Sequence, residues 1–185
     1  MKKVLGFIFS VAALFIMNLS FSVTVEAARV AVIPLQVDET QVERANDFTS
    51  YYWDVIIEKL KYPDYELVSD EIVGNAIPEE GLKSFDQATL KDVLEKTDAE
   101  LVVAMRVDKV TEQPYNFQRE PKVNCSLKAE YAAYNRLTGK YYTKKINYGK
   151  LIEEVLTLKT DWQQDAFASE LKRCINRSIE EKKKK

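Results

Sequence analysis

Ala99-Glu-Leu-Val-Val-Ala-Met-Arg-Val-Asp-Lys-Val110 (AELVVAMRVDKV) decides how this chain folds. It opens as a run that is apolar at nearly every position, the pattern of a strand covered on both faces, and then changes to alternation, with Leu101, Val103, Met105 and Val107 on one side. An interior strand that emerges toward solvent reads this way. Upstream, Arg29 to Val37 (RVAVIPLQV) is a second doubly apolar run, in which Pro34 cannot donate to a ladder and must interrupt it or face outward. Asn46 or Asp47 can cap a helix whose Phe48, Tyr52, Val55, Ile56 and Leu60 form one apolar stripe. Lys61-Tyr62-Pro63-Asp64 breaks that helix, because proline disfavours helical geometry in the residue before it. Tyr65 to Ser69 then predicts a short strand, Asp70 to Ile77 one or two helical turns, and Asp86 the cap of a helix carrying Leu90, Val93 and Leu94 to about Thr97.

Downstream of the central strand, Thr111 to Pro121 (TEQPYNFQREP) reads as a loop through its two prolines and its polar content, with Tyr115 and Phe117 exposed in it. Lys122 to Tyr134 has the clearest period of two in the chain: Val123, Cys125, Leu127, Ala129, Tyr131 and Ala133 share a face. Asn135 to Lys140 supplies a turn in which Gly139 can take positive φ, and Tyr141 to Tyr148 completes a hairpin. Leu151 to Leu158 is open between a further antiparallel strand and a connector. Thr160 and Gln163 have capping-box spacing for a helix from Asp161 to about Glu181, with Phe167, Leu171, Cys174, Ile175, Ser178 and Ile179 on one stripe. The expected fold is α/β: a mixed sheet of about five strands in the order β-α-β-α-β, then an antiparallel hairpin, then a long C-terminal helix packed on the sheet.

The first 27 residues read as an address. Lys2 and Lys3 precede the uncharged Val4 to Met17, and Val25 and Ala27 supply the small residues a signal peptidase requires. Fourteen helical residues cover about 21 Å against a hydrocarbon core of about 30 Å, too short to span. Cleavage after Ala27 is expected, leaving a single domain over 28–181 and a Lys182 to Lys185 tail. Membrane contact is then confined to the uncleaved precursor, and the mature protein is exported, to the periplasm, the cell envelope or the medium. No Cys follows the apolar run to carry a lipid.

Composition closes several chemistries. The chain has no histidine, which removes Ser-His-Asp and Cys-His nucleophiles, His-ligated zinc and proximal-His haem. Its five glycines form no phosphate-cradling spacing, so no nucleotide cofactor is expected. The net charge of −2 disfavours nucleic acid, whose binding is driven by basic patches that release counterions. With only two cysteines no soft metal site is expected either. Cys125 and Cys174 both fall on apolar faces; in an exported protein they either form a disulfide, worth roughly 4 kcal/mol for a 49-residue separation, or serve as two buried thiols.

Arg29-Val-Ala-Val-Ile-Pro-Leu35, Tyr65-Glu-Leu-Val-Ser69, Thr97 to Ala104 and the turn Leu137-Thr-Gly-Lys140 together give a layout that resembles the envelope α/β domains of the TolB amino-terminal type, curli-secretion-channel protomers and the lipoprotein activators of penicillin-binding proteins. The resemblance implies a cell-envelope setting. No catalytic residue emerges. The expectation is a non-catalytic domain that binds an envelope protein or polymer through Tyr115, Phe117 and the neighbouring hairpin, costly rings to expose without use. The alternative is a small-ligand or histidine-independent enzyme domain using the crevice past the first and third strands, around Asp38, Glu39 and Asp108.

Overall fold

The computed structural model describes residues 27–42, 45–117, 120–153 and 162–180, with backbone alone for 114–121 and 151–153. The signal segment ahead of Ala27, the Thr160 capping box and the Lys tail lie outside the described residues. Ten elements follow one another: β1 Ala28–Val32, β2 Gln36–Val37, α1 Ala45–Lys59, β3 Tyr65–Leu67, α2 Asp70–Ala76, α3 Gln87–Thr97, β4 Leu101–Phe117, β5 Glu120–Asn135, β6 Lys140–Glu153 and α4 Trp162–Ile179. They build one mixed sheet in the order β3-β1-β4-β5-β6. β1 runs parallel to both β3 and β4, and β4, β5 and β6 form an antiparallel meander.

Pro34 does what its missing N–H dictates. The first strand splits into β1 and β2, both paired with β4, across Ile33-Pro34-Leu35. Ile33 still donates to the Val103 carbonyl at 2.9 Å. Its own carbonyl turns out of the sheet and accepts the hydroxyl of fully buried Tyr52 at 2.9 Å. Asn46 and Asp47, expected as caps, instead lie within the first turn of α1, where an aspartate still complements the helix dipole. Asp86 does cap α3, accepting from the Thr89 N–H at 2.9 Å, and Asp98 closes that helix in the left-handed region at φ 48°. The β5–β6 turn uses Gly139 at φ 61°, as the spacing required.

Both faces of the parallel part of the sheet are covered. On one, α1 and α4 pack Phe48, Tyr52, Val55, Ile56, Phe167, Leu171, Cys174 and Ile175 over Val30, Val103, Met105, Leu127 and Tyr131. Phe48 and Phe167 meet edge-on at 5.4 Å. On the other, α2 and α3 cover Ala31, Ile33, Val102, Ala104 and Ala132 with Val73, Leu90, Val93 and Leu94. Each such side chain removed from water contributes about 1.5–3 kcal/mol, which is what holds the layers together.

The strands outrun the helices. β4 has 17 residues, about 55 Å of strand, whereas the 18 residues of α4 cover about 27 Å. This corrects the reading of Thr111 to Pro121 as a loop. Thr111 to Phe117 continues β4, and Glu120 and Pro121 begin β5, paired from Leu101↔Asn135 to Phe117↔Glu120. The prolines misled because Pro114 and Pro121 lie near the far end of a long arm, where strands tolerate them. A single bulge at Asp108, between Val107 and Lys109, restores the alternation.

Candidate functional site

The acidic crevice does not assemble as expected. Asp38 and Glu39 are exposed just past β2, and the Asp38 N–H donates to the Val107 carbonyl at 3.1 Å, which brings it beside Asp108 along the sheet. Each carboxylate is nevertheless occupied locally. Asp38 Oδ1 accepts from the Thr40 N–H at 3.0 Å and the Thr40 hydroxyl at 2.6 Å, while Asp108 accepts from Arg106 Nε at 2.6 Å. Paired general acid and base need carboxylates that converge on one substrate position, and these serve a turn and a bulge.

Cys125 faces α4 and Cys174 lies on the buried side of α4, but the two do not meet. Cys125 interacts with Gln163 at the start of α4 and with Glu112, and Cys174 lies eleven residues farther along that helix, about 16 Å at helical rise, against Tyr142. Both thiols are free and buried, and bridging needs Cα atoms within about 7 Å, so this arrangement holds no disulfide between them. Burial pushes the Cys174 thiol up to about 11, and burial with the Glu112 charge pushes Cys125 up as well. Neither is an activated nucleophile.

A third cluster escaped the sequence reading. Glu170, on the buried side of α4, receives Lys144, the Tyr148 hydroxyl at 2.5 Å and Arg173 Nη1 at 2.5 Å. Burial pushes its carboxyl upward, but the bonds from Lys144 and Tyr148 and the charges of Lys144 and Arg173 outweigh that and hold it below the usual range. It is a fixed anion tying α4 to β6, with no proton to give near neutrality. Sequence carried a faint signal, since Glu170 adjoins Leu171 on the apolar stripe.

The outer edge of β3 differs in kind from all of these. β3 ends the sheet. Val68 N–H donates to the Val30 carbonyl at 2.8 Å and Ala28 N–H to the Asp64 carbonyl at 3.0 Å, so residues 64, 66 and 68 address β1. The alternation of a parallel ladder then turns the Tyr65 carbonyl and both backbone groups of Leu67 away from the sheet. The Tyr65 N–H is spent on the Lys61 carbonyl at 3.2 Å. Beside this edge lies a groove of about 330 Å³ lined by Ile57, Leu60, Tyr62, Tyr65 and Leu67, with Lys61 and Glu66 completing it.

Leu60 is buried there, while Ile57 and Tyr62 stand 60% and 80% exposed. Of the six large apolar residues that are exposed among the described residues, three line this one groove. Burial, with the charge of Asp64 adding, pushes the Tyr65 phenol up, so the ring stays neutral. An apolar groove running beside unpaired strand edge is suited to an extended polypeptide. Ile57 was legible in principle, because it follows Ile56 and falls off the stripe that buries α1. Tyr62 belongs to the helix break and to a tyrosine-rich set whose rings sequence leaves open between packing and a partner surface.

Tyr115 and Phe117 occupy the last turn of the ladder, opposite Lys122 and Glu120, and their side chains lie outside the described residues. They are far in sequence register from β3, so the structure offers two separate places for a partner rather than one.

These features define a mixed α/β domain with helices on both faces of a sheet and an antiparallel arm projecting from it. No family model matches the sequence, and no curated protein matches it. Among solved structures the chain is similar to the lipoprotein GNA1162 from Neisseria meningitidis, at 11% identity over 82% of this chain and 99% of that one with a TM-score of 0.44. It is similar to the hypothetical protein CT253 from Chlamydia trachomatis at 11% identity, covering 83% and 94% of the two chains with a TM-score of 0.41. The LpoB C-terminal domain from Salmonella enterica matches at 12% identity over 71% and 90% with a TM-score of 0.38. Such likenesses concern chain layout and carry nothing about activity or partner.

Proposed function

We propose that residues 28–181 form an exported, non-catalytic cell-envelope domain, of the broad kind to which TolB-like and curli-secretion-protomer-like domains belong, that captures an extended segment of an envelope protein along the outer edge of β3. One observation carries this reading: free backbone groups on Tyr65 and Leu67 sit against an apolar groove that leaves Ile57 and Tyr62 open to water. Main-chain bonds to Leu67 supply register, and an apolar side chain of the partner entering the groove supplies selectivity. The groove holds no converging polar groups of the kind that orient a small substrate, which sets the enzyme alternative lower. Tyr115 and Phe117 remain proposed as an accessory contact at the end of the arm.

Leu67→Pro tests the edge directly. It removes an N–H that faces away from β1 and keeps the β1–β3 ladder, so stability changes by no more than about 1 kcal/mol. Tyr62→Ala tests the groove. With the mature protein as bait in an extract of its own envelope, both variants lose the partner that the wild type retains, whereas Tyr115→Ala with Phe117→Ala only weakens capture. Unchanged capture by both single variants refutes the β3 site, and loss in the double variant alone moves the site to the arm. Intact-mass analysis of the exported protein checks the processing: the chain begins at Ala28, and a mass retaining Met1 or bearing lipid rejects it.

A further inference from the structure

The groove beside β3 opens an acidic stretch of chain. From Tyr62 to Leu82 there are six carboxylates and no lysine or arginine, a local sum of −6 in a protein whose whole sum is −2. Asp64, Glu66, Asp70 and Glu71 are all exposed, and among the described residues none of the four enters an ion pair. The cation beside them in the sheet is turned away. Register pairs Arg29 with Glu66, yet the Arg29 guanidinium bonds the Asp98 carboxylate at 2.8 Å and the Asp98 carbonyl at 3.0 Å. Lys59 of α1 and Lys172 of α4 are both spent on Glu58, at 3.3 Å and 2.6 Å. Lys61 is the one cation in the groove lining.

Paired residues share a face, so Tyr65 and Leu67 stand with Ala28 and Val30 on the side that α1 and α4 cover, and Glu66 stands with Arg29 on the other. A strand added at this edge, about 4.8 Å out, inherits that alternation. Its residue beside Leu67 enters the groove, and the residues before and after come beside Glu66 and the carboxylates that lead into α2. We infer, resting on β3 as the capture edge, that the captured segment is cationic: an extended stretch of another protein in which apolar residues alternate with lysine or arginine. Like charges opposite each other on neighbouring strands cost stability, so an acidic segment is turned away from the same edge. The same carboxylates repel anionic lipid and nucleic acid. A second copy of this chain does not supply the pattern. β6, at the other end of the sheet, places Lys144 and Lys150 on the same face as Tyr142 and Ile146, and Lys144 is already bonded to Glu170. A bare edge accepts any strand, and Glu66 makes this one selective.

Binding of short end-capped peptides to the mature protein, read by fluorescence anisotropy at about 50 mM salt, tests it. The peptides share valine at alternate positions and carry lysine, glutamine or glutamate between. The lysine peptide binds at least about 10-fold tighter than the glutamate peptide, with glutamine between them, and the spread closes toward about 1 M salt as screening shortens. Glu66→Lys together with Glu71→Lys reverses the order, whereas the same charge change at exposed Glu39 and Glu95 leaves it in place. Should the double variant fail to fold, Glu66→Gln carries the test by weakening the lysine peptide about 2–5-fold and leaving the glutamine peptide unchanged. Equal affinity for all three peptides, lost in Tyr62→Ala and Leu67→Pro, overturns the charge selection and leaves capture at β3 standing. Binding of none, or binding that both of those variants keep, removes the β3 site and the inference with it. A wild type that sediments as a dimer or larger and takes up no lysine peptide assigns the edge to a second copy, which also overturns the inference.

Discussion

Replacing Tyr52 by Phe deletes one oxygen atom and tests how the sheet survives Pro34. The Tyr52 hydroxyl donates to the Ile33 carbonyl at 2.9 Å, and both residues are fully buried. Pro34 has interrupted the ladder at that point, so no strand neighbour stands ready to replace the donor. Losing a bond whose partner then stays buried and unsatisfied costs about 1–3 kcal/mol, more than the mean of about 1 kcal/mol for a hydrogen bond. Tyr131→Phe is the internal comparison. Ser178 Oγ donates to the Cys174 carbonyl at 2.9 Å, so the single serine hydrogen is spent and Tyr131 must donate to Ser178 across 3.0 Å. Without the Tyr131 hydroxyl, Ser178 keeps its own bond, and the cost falls to about 0.5–1.5 kcal/mol. At roughly 2–4 °C per kcal/mol for a chain of this size, Tyr52→Phe lowers the thermal midpoint by roughly 2–12 °C and Tyr131→Phe by less. Circular dichroism melts on the mature protein, with urea midpoints at constant m-value as a second measure, decide the matter. Equal losses, or a larger loss at Tyr131, refute the claim that the Ile33 carbonyl depends on α1.

Glu170→Gln removes a buried anion from Lys144, Tyr148 and Arg173 and lowers stability by about 1–3 kcal/mol at pH 7, measured by urea denaturation. Because the folded carboxyl lies below its unfolded value, its contribution is complete above about pH 5 and disappears as pH falls through the folded value, so the gap between wild type and variant closes in acid. Lys128→Gln does the reverse: it relieves the opposition to Lys109 and raises stability, read by urea denaturation, by about 0.2–1 kcal/mol at low salt, an advantage that fades near 1 M salt. A loss of stability there would mean that Lys128 is neutralised within its own chain.

How far the fold was legible follows from which physical signal each element carries. Burial writes itself into sequence as period: the stripe of α1, the alternation of β5 and the doubly apolar start of β4 all gave their elements, and each named stripe residue of α1 is buried. The length of β4 was not legible, because beyond Val110 no helix among the described residues covers one face and polar residues carry no alternation against a core. The opposition of Lys109 and Lys128 was hidden in the same way, since it depends on the bulge at Asp108 that sets their register. The acidic crevice failed for a different reason. Adjacency in the sheet brought Asp38 near Asp108 as expected, but hydrogen bonds within two residues reached each carboxylate first.

The candidate site fell between these cases. Sequence predicts a strand over Tyr65 to Ser69 and β3 forms over Tyr65–Leu67, yet its place at the edge is a property of topology, and only the edge frees the Leu67 backbone. Its groove joins the end of α1 to β3 through residues that sequence assigns to a break. A site of this kind is made where elements end, and there periodicity has nothing to say. Exposed apolar residues that sit off a stripe, such as Ile57 beside Ile56, are therefore the signal to weigh when a chain presents no catalytic set: burial has already claimed the neighbour, and the residue left in water has only a partner to meet.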